Sequence, residues 1–267
     1  MGYRRREMWF PRSAEMWEFH DAKYGAPGQK RAPRRKATEK EIKQHNRRNR
    51  EKKCRWKLRA NFTPDDMFVT CTCRKDARPP DMDTMTKMVS KMLKDLRKHY
   101  QAAGVEMKWI RNIECGTKGA WHVHIVLNNI PDAVKAMKKA WPHGSILIRP
   151  MRAEGDFADL ASYMTKTPET DKSLKETKHW SSKNLLVPTP VERKYSKWKT
   201  FEEAEPRMIP KGWYVDKASI YEGVTKMGYR FRRFQLFPLD EKQKGRSPGK
   251  LIRAGAVPDI EAPEESG

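Results

Sequence analysis

Glu114-Cys115-Gly116-Thr117-Lys118-Gly119-Ala120-Trp121-His122-Val123-His124-Ile125-Val126-Leu127 is the stretch on which the fold turns. Successive side chains of a strand point to opposite faces. Residues 121, 123, 125 and 127 are Trp, Val, Ile and Leu, a core face, and His122 and His124 project together from the other side. Val105 to Glu114 reads as the preceding strand and Cys115 to Gly119 as the turn between them. A hairpin centred on Lys118 sets Glu114 opposite His122, on the face that carries both histidines. Two imidazoles and one carboxylate, with coordination positions left over, make the donor set of a catalytic rather than a structural metal site. Two surface histidines on a half-exposed strand also fit His-x-His. The facing Glu114 and the apolar reverse face favour the metal reading, with Glu114, His122 and His124 as ligands.

Outward from the hairpin, strands and helices alternate. Met67 to Cys73 is β-branched and bounded by Pro64-Asp65-Asp66 on one side and Pro79-Pro80 on the other. Asp83 opens a helix to about Gln101, with Met85, Met88, Val89, Met92, Leu93 and Leu96 at helical spacing. Asp132 to Trp141 is a short amphipathic helix, Ser145 to Arg149 a strand, and Asp156 to Lys166 a helix stopped before Pro168. Leu185-Leu186-Val187 is expected to close the sheet at an edge, as the nearby prolines suggest. The order implies an α+β fold, an antiparallel central sheet with helices on one face and the other left for a site.

Around this core, 61–190, lie less regular regions. Residues 1–36 are rich in Arg, Lys, Pro and Gly and read as an irregular arm. Thr38 with Glu41 forms a capping box for a helix to about Leu58. Arm and helix make a basic N-terminal extension, 1–60. Residues 191–250 hold aromatic-rich strands (Trp213 to Val215, Tyr229 to Phe237), and 251–267 an acidic, Pro-rich tail expected to be disordered.

The chain carries 57 Lys+Arg against 34 Asp+Glu, a formal +23 over 267 residues. Residues 1–60 hold 20 of the basic and 7 of the acidic residues, more than half of the surplus. Such an excess favours a polyanionic partner through counterion release, and nucleic acid is the commonest. No apolar run approaches the ~20 residues that span a bilayer. No apolar region follows Met-Gly-Tyr-Arg-Arg-Arg, so a secretory signal is not expected. Cys71 and Cys73 share a strand face, but no second pair completes a zinc site, and Cys54, Cys71, Cys73 and Cys115 read as buried thiols of a cytoplasmic protein.

A metal facing a phosphodiester needs a nucleophile. In helix 156–166, Phe157, Leu160, Ala161 and Met164 form the buried stripe, leaving Tyr163 on its flank with Lys166 one turn on. A phenol has a pKa of about 10 and is a poor nucleophile near neutrality. A nearby ammonium would stabilise the phenolate and offset charge on phosphate. A boundary Tyr beside an exposed Lys is the plainer reading, and the pair gains weight only beside the metal donors.

Three stretches in order resemble the HUH endonucleases, specifically the rolling-circle replication initiator (Rep) proteins with one catalytic tyrosine. Phe68-Val-Thr-Cys-Thr72 resembles their first motif, Trp121-His-Val-His-Ile-Val-Leu127 their second, and Tyr163-Met-Thr-Lys166 the third, Tyr-x-x-Lys. The resemblance covers about residues 60–170. A single tyrosine in the third motif fits the two-tyrosine phage initiators less well, and histidines before tyrosine reverse the usual order of conjugative relaxases. The resemblance implies an RRM/ferredoxin-like core and a divalent ion, Mn²⁺ or Mg²⁺, on the scissile phosphate. It implies attack by Tyr163 to give a 5′-phosphotyrosine and a free 3′-OH, with Lys166 stabilising the phenolate or the transition state. The partner would be a single-stranded DNA origin or hairpin. No Gly-x-x-x-x-Gly-Lys-[Ser/Thr] phosphate loop occurs, so a separate helicase and a polymerase would be needed. An HUH-type transposase shares the mechanism and differs in DNA partner. A non-catalytic RRM-like nucleic-acid-binding protein is the alternative of another class, although histidines rather than aromatics occupy the open face of strand 121–127.

Overall fold

A computed structural model of the chain describes residues 2–21, 26, 28, 36–151, 157–195 and 209–239. The chain divides into two units, one of Ala37–Val187 and one of Met1–Lys36 with Pro188–Gly267. Helix 38–59 therefore groups with the core rather than with the residues before it. The fold is α+β, with two antiparallel five-stranded sheets and four α-helices among the described residues.

Unit 37–187 begins with α1 (Glu39–Asn61), whose capping box is formed by Thr38 and Glu41. Its sheet runs in the order β6 (Ile146–Pro150), β3 (Met67–Thr72), β5 (Trp121–Leu127), β4 (Trp109–Gly116), β7 (Leu174–Ser181). Strict alternation divides its two faces. Val69, Cys71, Ile113, Val123, Ile125 and Leu127 pack against α2 (Met82–Ala102) and α3 (Ala133–Ala140), through residues such as Val89, Leu96 and Met137. Asp81 caps α2 by accepting from the Thr84 N–H at 2.7 Å. The opposite face is not wholly open. Ile110 and Val126 are covered by Cys54, Leu58 and Phe62 at the end of α1 and by Ala161 and Met164 of α4 (Ala158–Met164). The remainder of that face carries the polar residues of the site.

One glycine is required by contact rather than conformation. A Cβ on Gly144 would lie 2.0 Å from the Thr72 carbonyl oxygen, so only glycine lets this turn close onto β3.

Several elements differ from the sequence reading. Residues 1–36 are not an irregular arm throughout: β1 (Tyr3–Phe10) and β2 (Ser13–His20) form a hairpin. Together with β8 (Val191–Tyr195), β9 (Trp213–Val224) and β10 (Arg230–Pro238) they build the second sheet, in the order β8-β1-β2-β10-β9. The hairpin escaped detection because its buried positions include Arg5, Glu7 and Glu18, which hydropathy marks as exposed. Leu185 to Val187 is not an edge strand; the edges are β6 and β7, and β7 has a polar sequence suited to an edge. Leu185 is buried beside α1, and Leu186 and Val187 are exposed. Helix α4 ends at Met164, so Lys166 lies in the turn beyond it. The acidic tail 251–267 lies outside the described residues. No described helix is long and apolar enough to cross a membrane.

Candidate metal and tyrosine site

Sheet register assembles the site. Strand β4 pairs with β5 so that Glu114 faces His122 and Asn112 faces His124. Strand β3 adds Thr72 beside His122 and Thr70 beside His124. The site face thus carries two polar rows across three strands, Thr70–His124–Asn112 and Thr72–His122–Glu114. Glu114 and His124 are buried, at 7% and 5% exposure, and His122 is half-buried.

Most contacts converge on His124. Its Nε2 lies 3.5 Å from Glu114 Oε2 and 3.0 Å from the Tyr163 hydroxyl. Its Nδ1 lies 3.1 Å from Thr70 Oγ1. The Asn112 amide donates to Glu114 Oε1 at 2.9 Å and orients the carboxylate. His122 stands beside His124 with ring centroids 6.3 Å apart and planes 12° from parallel. Burial, then the charge that His124 would carry, lowers the His122 pKa against the opposing pull of Glu114. A neutral imidazole is the form that binds metal.

The donors fit a divalent ion in chemistry and partly in placement. Two ligands each about 2.1 Å from one ion lie roughly 3 to 4 Å apart, depending on the angle between them. His124 Nε2 and Glu114 Oε2 have that spacing. Among the described residues no three His, Cys, Asp or Glu side chains converge closely enough to hold an ion as they stand. His122 shares the face but would have to lean toward the other two donors.

Helix α4 delivers Tyr163. Ala161 and Met164 anchor it to the sheet, leaving the half-buried phenol over His124, with ring centroids 4.9 Å apart and planes at 76°. Phe68 of β3 flanks both rings, 6.1 Å from His124 and 6.0 Å from Tyr163. Burial first, and the Glu114 charge second, push the Tyr163 pKa up to about 12; Arg149 pulls the other way. Lys166 does not extend along the helix toward the hydroxyl. Its ammonium lies over the Tyr163 ring, 5.2 Å from the centroid, and 3.6 Å from Asp171 Oδ2. Arg149 of β6, opposite Phe68 in register, is a cation on this face that sequence reasoning passed over.

Thr70 and Asn112 were missed as well. The parity that selects Glu114, His122 and His124 selects them too, once β3 is placed beside β5. The signal was available, but it needed the strand order. His179 of β7, opposite Asn112, extends the same row, with Nδ1 3.0 Å from the Met164 carbonyl oxygen.

Residues 66–168 match the family model described as Replication-associated protein ORF2/G2P. The matched span is less than half of the chain, and all three motif stretches lie inside it. The similarity supports a replication-associated protein of the rolling-circle Rep type. No curated protein and no solved structure matches the chain.

Proposed function

We propose that the chain initiates rolling-circle replication by nicking single-stranded DNA at an origin or hairpin, with Tyr163 as nucleophile and Glu114, His122 and His124 as ligands of Mn²⁺ or Mg²⁺. One observation carries the reading: the Tyr163 hydroxyl lies 3.0 Å from the same His124 nitrogen that stands 3.5 Å from Glu114. A nucleophile and two donors of ligand type therefore meet at one point on the sheet.

A divalent ion held there would polarise the scissile phosphate and stabilise the charge that builds on it. Tyr163 loses its proton and its oxygen attacks phosphorus in line. The bond from phosphorus to the 3′-oxygen breaks, and that oxygen takes a proton and leaves as the free 3′-OH. The 5′-phosphate remains on tyrosine, and the reverse reaction rejoins ends without ATP. A phenol with a pKa pushed up to about 12 needs neighbouring positive charge to ionise near neutrality. Lys166 and Arg149 are the chain's own candidates, beside the ion.

DNA would approach along α1. The helix packs against α4, its Lys57 donates to Ser181 Oγ of β7 at 3.0 Å, and Lys40, Lys43, Arg47, Arg50 and Lys53 are exposed along it. Replacing Lys40, Arg50 and Lys53 with Gln should lower the salt slope of DNA binding by about 0.7 for each phosphate that is no longer neutralised. The aromatic strands of the second sheet are the candidates for base stacking. A transposase would use the same chemistry on another DNA.

The test is a labelled single-stranded origin oligonucleotide incubated with Mn²⁺ or Mg²⁺. Wild type should form a covalent adduct and Tyr163→Phe should not. The incomplete convergence of three donors favours the second reading, a nucleic-acid-binding protein without catalysis. Binding with no adduct, across metals and sequences, would establish that reading instead.

A further inference from the structure

The helix-covered face of the site sheet holds an arginine that the chemistry above does not use. Arg111 of β4 pairs in register with Ile125 of β5 and Trp180 of β7, and shares its face with Trp109 and Ile113. It is only 4% exposed, and its Nε and Nη1 have no hydrogen-bond partner among the described residues. Two residues away on the same face, Trp109 Nε1 is also buried without a partner. The Arg111 guanidinium carbon lies 5.8 Å from the centroid of the Trp109 ring. We propose that Arg111 and Trp109 form a phosphate subsite for single-stranded DNA at the β7 edge of the sheet, with Trp180 stacking the adjoining base.

All three orphan atoms are donors. A guanidinium has five N–H donors and no acceptor, and its charge is permanent. Burial lowers the Arg111 pKa to about 10, and no carboxylate among the described residues pulls the other way. Water accepts hydrogen bonds but does not neutralise a charge, and an unpaired buried charge is costly. A phosphodiester does both, and its two free oxygens match the guanidinium fork. The place is open at its edge. Helices α2 and α3 cover the middle strands of this face, whereas the β7 residues that share it, Glu176, Lys178 and Trp180, are exposed or half-buried. Trp180 is 54% exposed, and the Lys178 ammonium stands 5.7 Å from its ring centroid. An open aromatic ring between two cations offers a base a stacking platform and its phosphates a counter-charge. Strand β7 is an edge, and His179, next to Trp180 along it, lies opposite Asn112 on the site face. A DNA strand that leaves the Tyr163 face over this edge meets Trp180 and Arg111 next. The inference rests on single-stranded DNA being the partner proposed above; it does not need the nicking chemistry.

Equilibrium binding of oligo-dT to the metal-free full-length protein at several salt concentrations tests the inference, together with thermal unfolding without DNA. Arg111→Met should weaken binding about 10-fold or more, as loss of a charge-assisted contact does, and lower the salt slope by about 0.7. It should melt no lower than wild type, because it removes an unpaired buried charge. Trp180→Leu, at an exposed position that leaves the core intact, should weaken binding about 5-fold or more through lost stacking. Wild-type affinity and slope in Arg111→Met overturn the inference, as does an Arg111→Met protein that melts lower, since the guanidinium then has its partners inside the fold. Unchanged affinity in Trp180→Leu overturns the stacking half. Inorganic phosphate that raises the melting temperature of wild type but not of Arg111→Met, with equal oligo-dT affinity in the two, overturns DNA as the source of the phosphate. Failure of the nicking reading looks different: wild type would form no adduct while Arg111→Met still binds oligo-dT more weakly.

Discussion

The two sheets have the same strand number and both bury charge, but they treat it in opposite ways. In the second sheet Glu18 is fully buried between two guanidiniums. It accepts from Arg5 Nε at 2.9 Å on one oxygen and from Arg232 Nε and Nη2 at 3.0 and 2.9 Å on the other. Every strong bond of that carboxylate is spent inside the fold. In the site sheet Glu114 is almost as deep, yet among the described residues only the Asn112 amide donates to it at hydrogen-bond distance. His124 stands near it without closing a bond, and the Asn112 side-chain oxygen is buried without a partner. A closed ionic cluster specifies architecture. A buried one with unused valence waits for something to bind.

The same chemical change in each sheet should break the two in different ways. The largest effect belongs to the proposed nucleophile: Tyr163→Phe should reduce adduct formation by at least about 10³-fold, the order seen for covalent nucleophiles, with folding intact by circular dichroism. Next comes Glu18→Gln. It strips the counter-charge from two buried arginines and should cost about 3–5 kcal/mol in urea unfolding. Glu114→Gln should cost about 1 kcal/mol or less in the metal-free protein, since it removes part of one hydrogen bond, while abolishing metal-dependent adduct formation. Equal stability losses for the two glutamates would erase the distinction between closed and open clusters.

Acid should sharpen the comparison further. The His122 pKa is lowered in the folded chain, so the unfolded chain takes up that proton first. The stability tied to His122 is fully present above its ordinary value near 6.5 and is lost as pH falls through the lowered folded value. His122→Asn should therefore flatten the acid limb of the stability curve. The smallest effect is expected far from the site: Thr38→Ala removes the cap of α1 and should cost about 1 kcal/mol.

What could be read before the structure follows the same division. The site sheet was legible because its faces alternate cleanly, Trp121, Val123 and Ile125 inward and His122 and His124 outward, and a hairpin centred on Lys118 set Glu114 opposite His122. Helices α1 and α2 announced themselves by Thr38 and by the methionine stripe. The β1–β2 hairpin was not legible because Arg5, Glu7 and Glu18 occupy its buried positions, and only their pairing across the sheet explains their burial. Strand β7 was lost because Leu174-Lys-Glu-Thr-Lys-His-Trp-Ser181 has the composition of a loop. Lys166 was placed by helical spacing, and the early end of α4 turned its ammonium over the phenol ring instead.

Strands β1 and β2 lie near the start of the chain, and their sheet partners β8, β9 and β10 lie beyond residue 190. This sets an order of events on the ribosome. Everything that unit 37–187 needs has been synthesised by Val187, whereas the N-terminal hairpin must wait, unpaired along β2, for residues 230–238 to emerge. Stalled nascent chains ending shortly after residue 220 should therefore already resist protease over 37–187 and remain open to it over 3–20. The unit that holds His124 and Tyr163 would be complete before the second sheet has found its last strand.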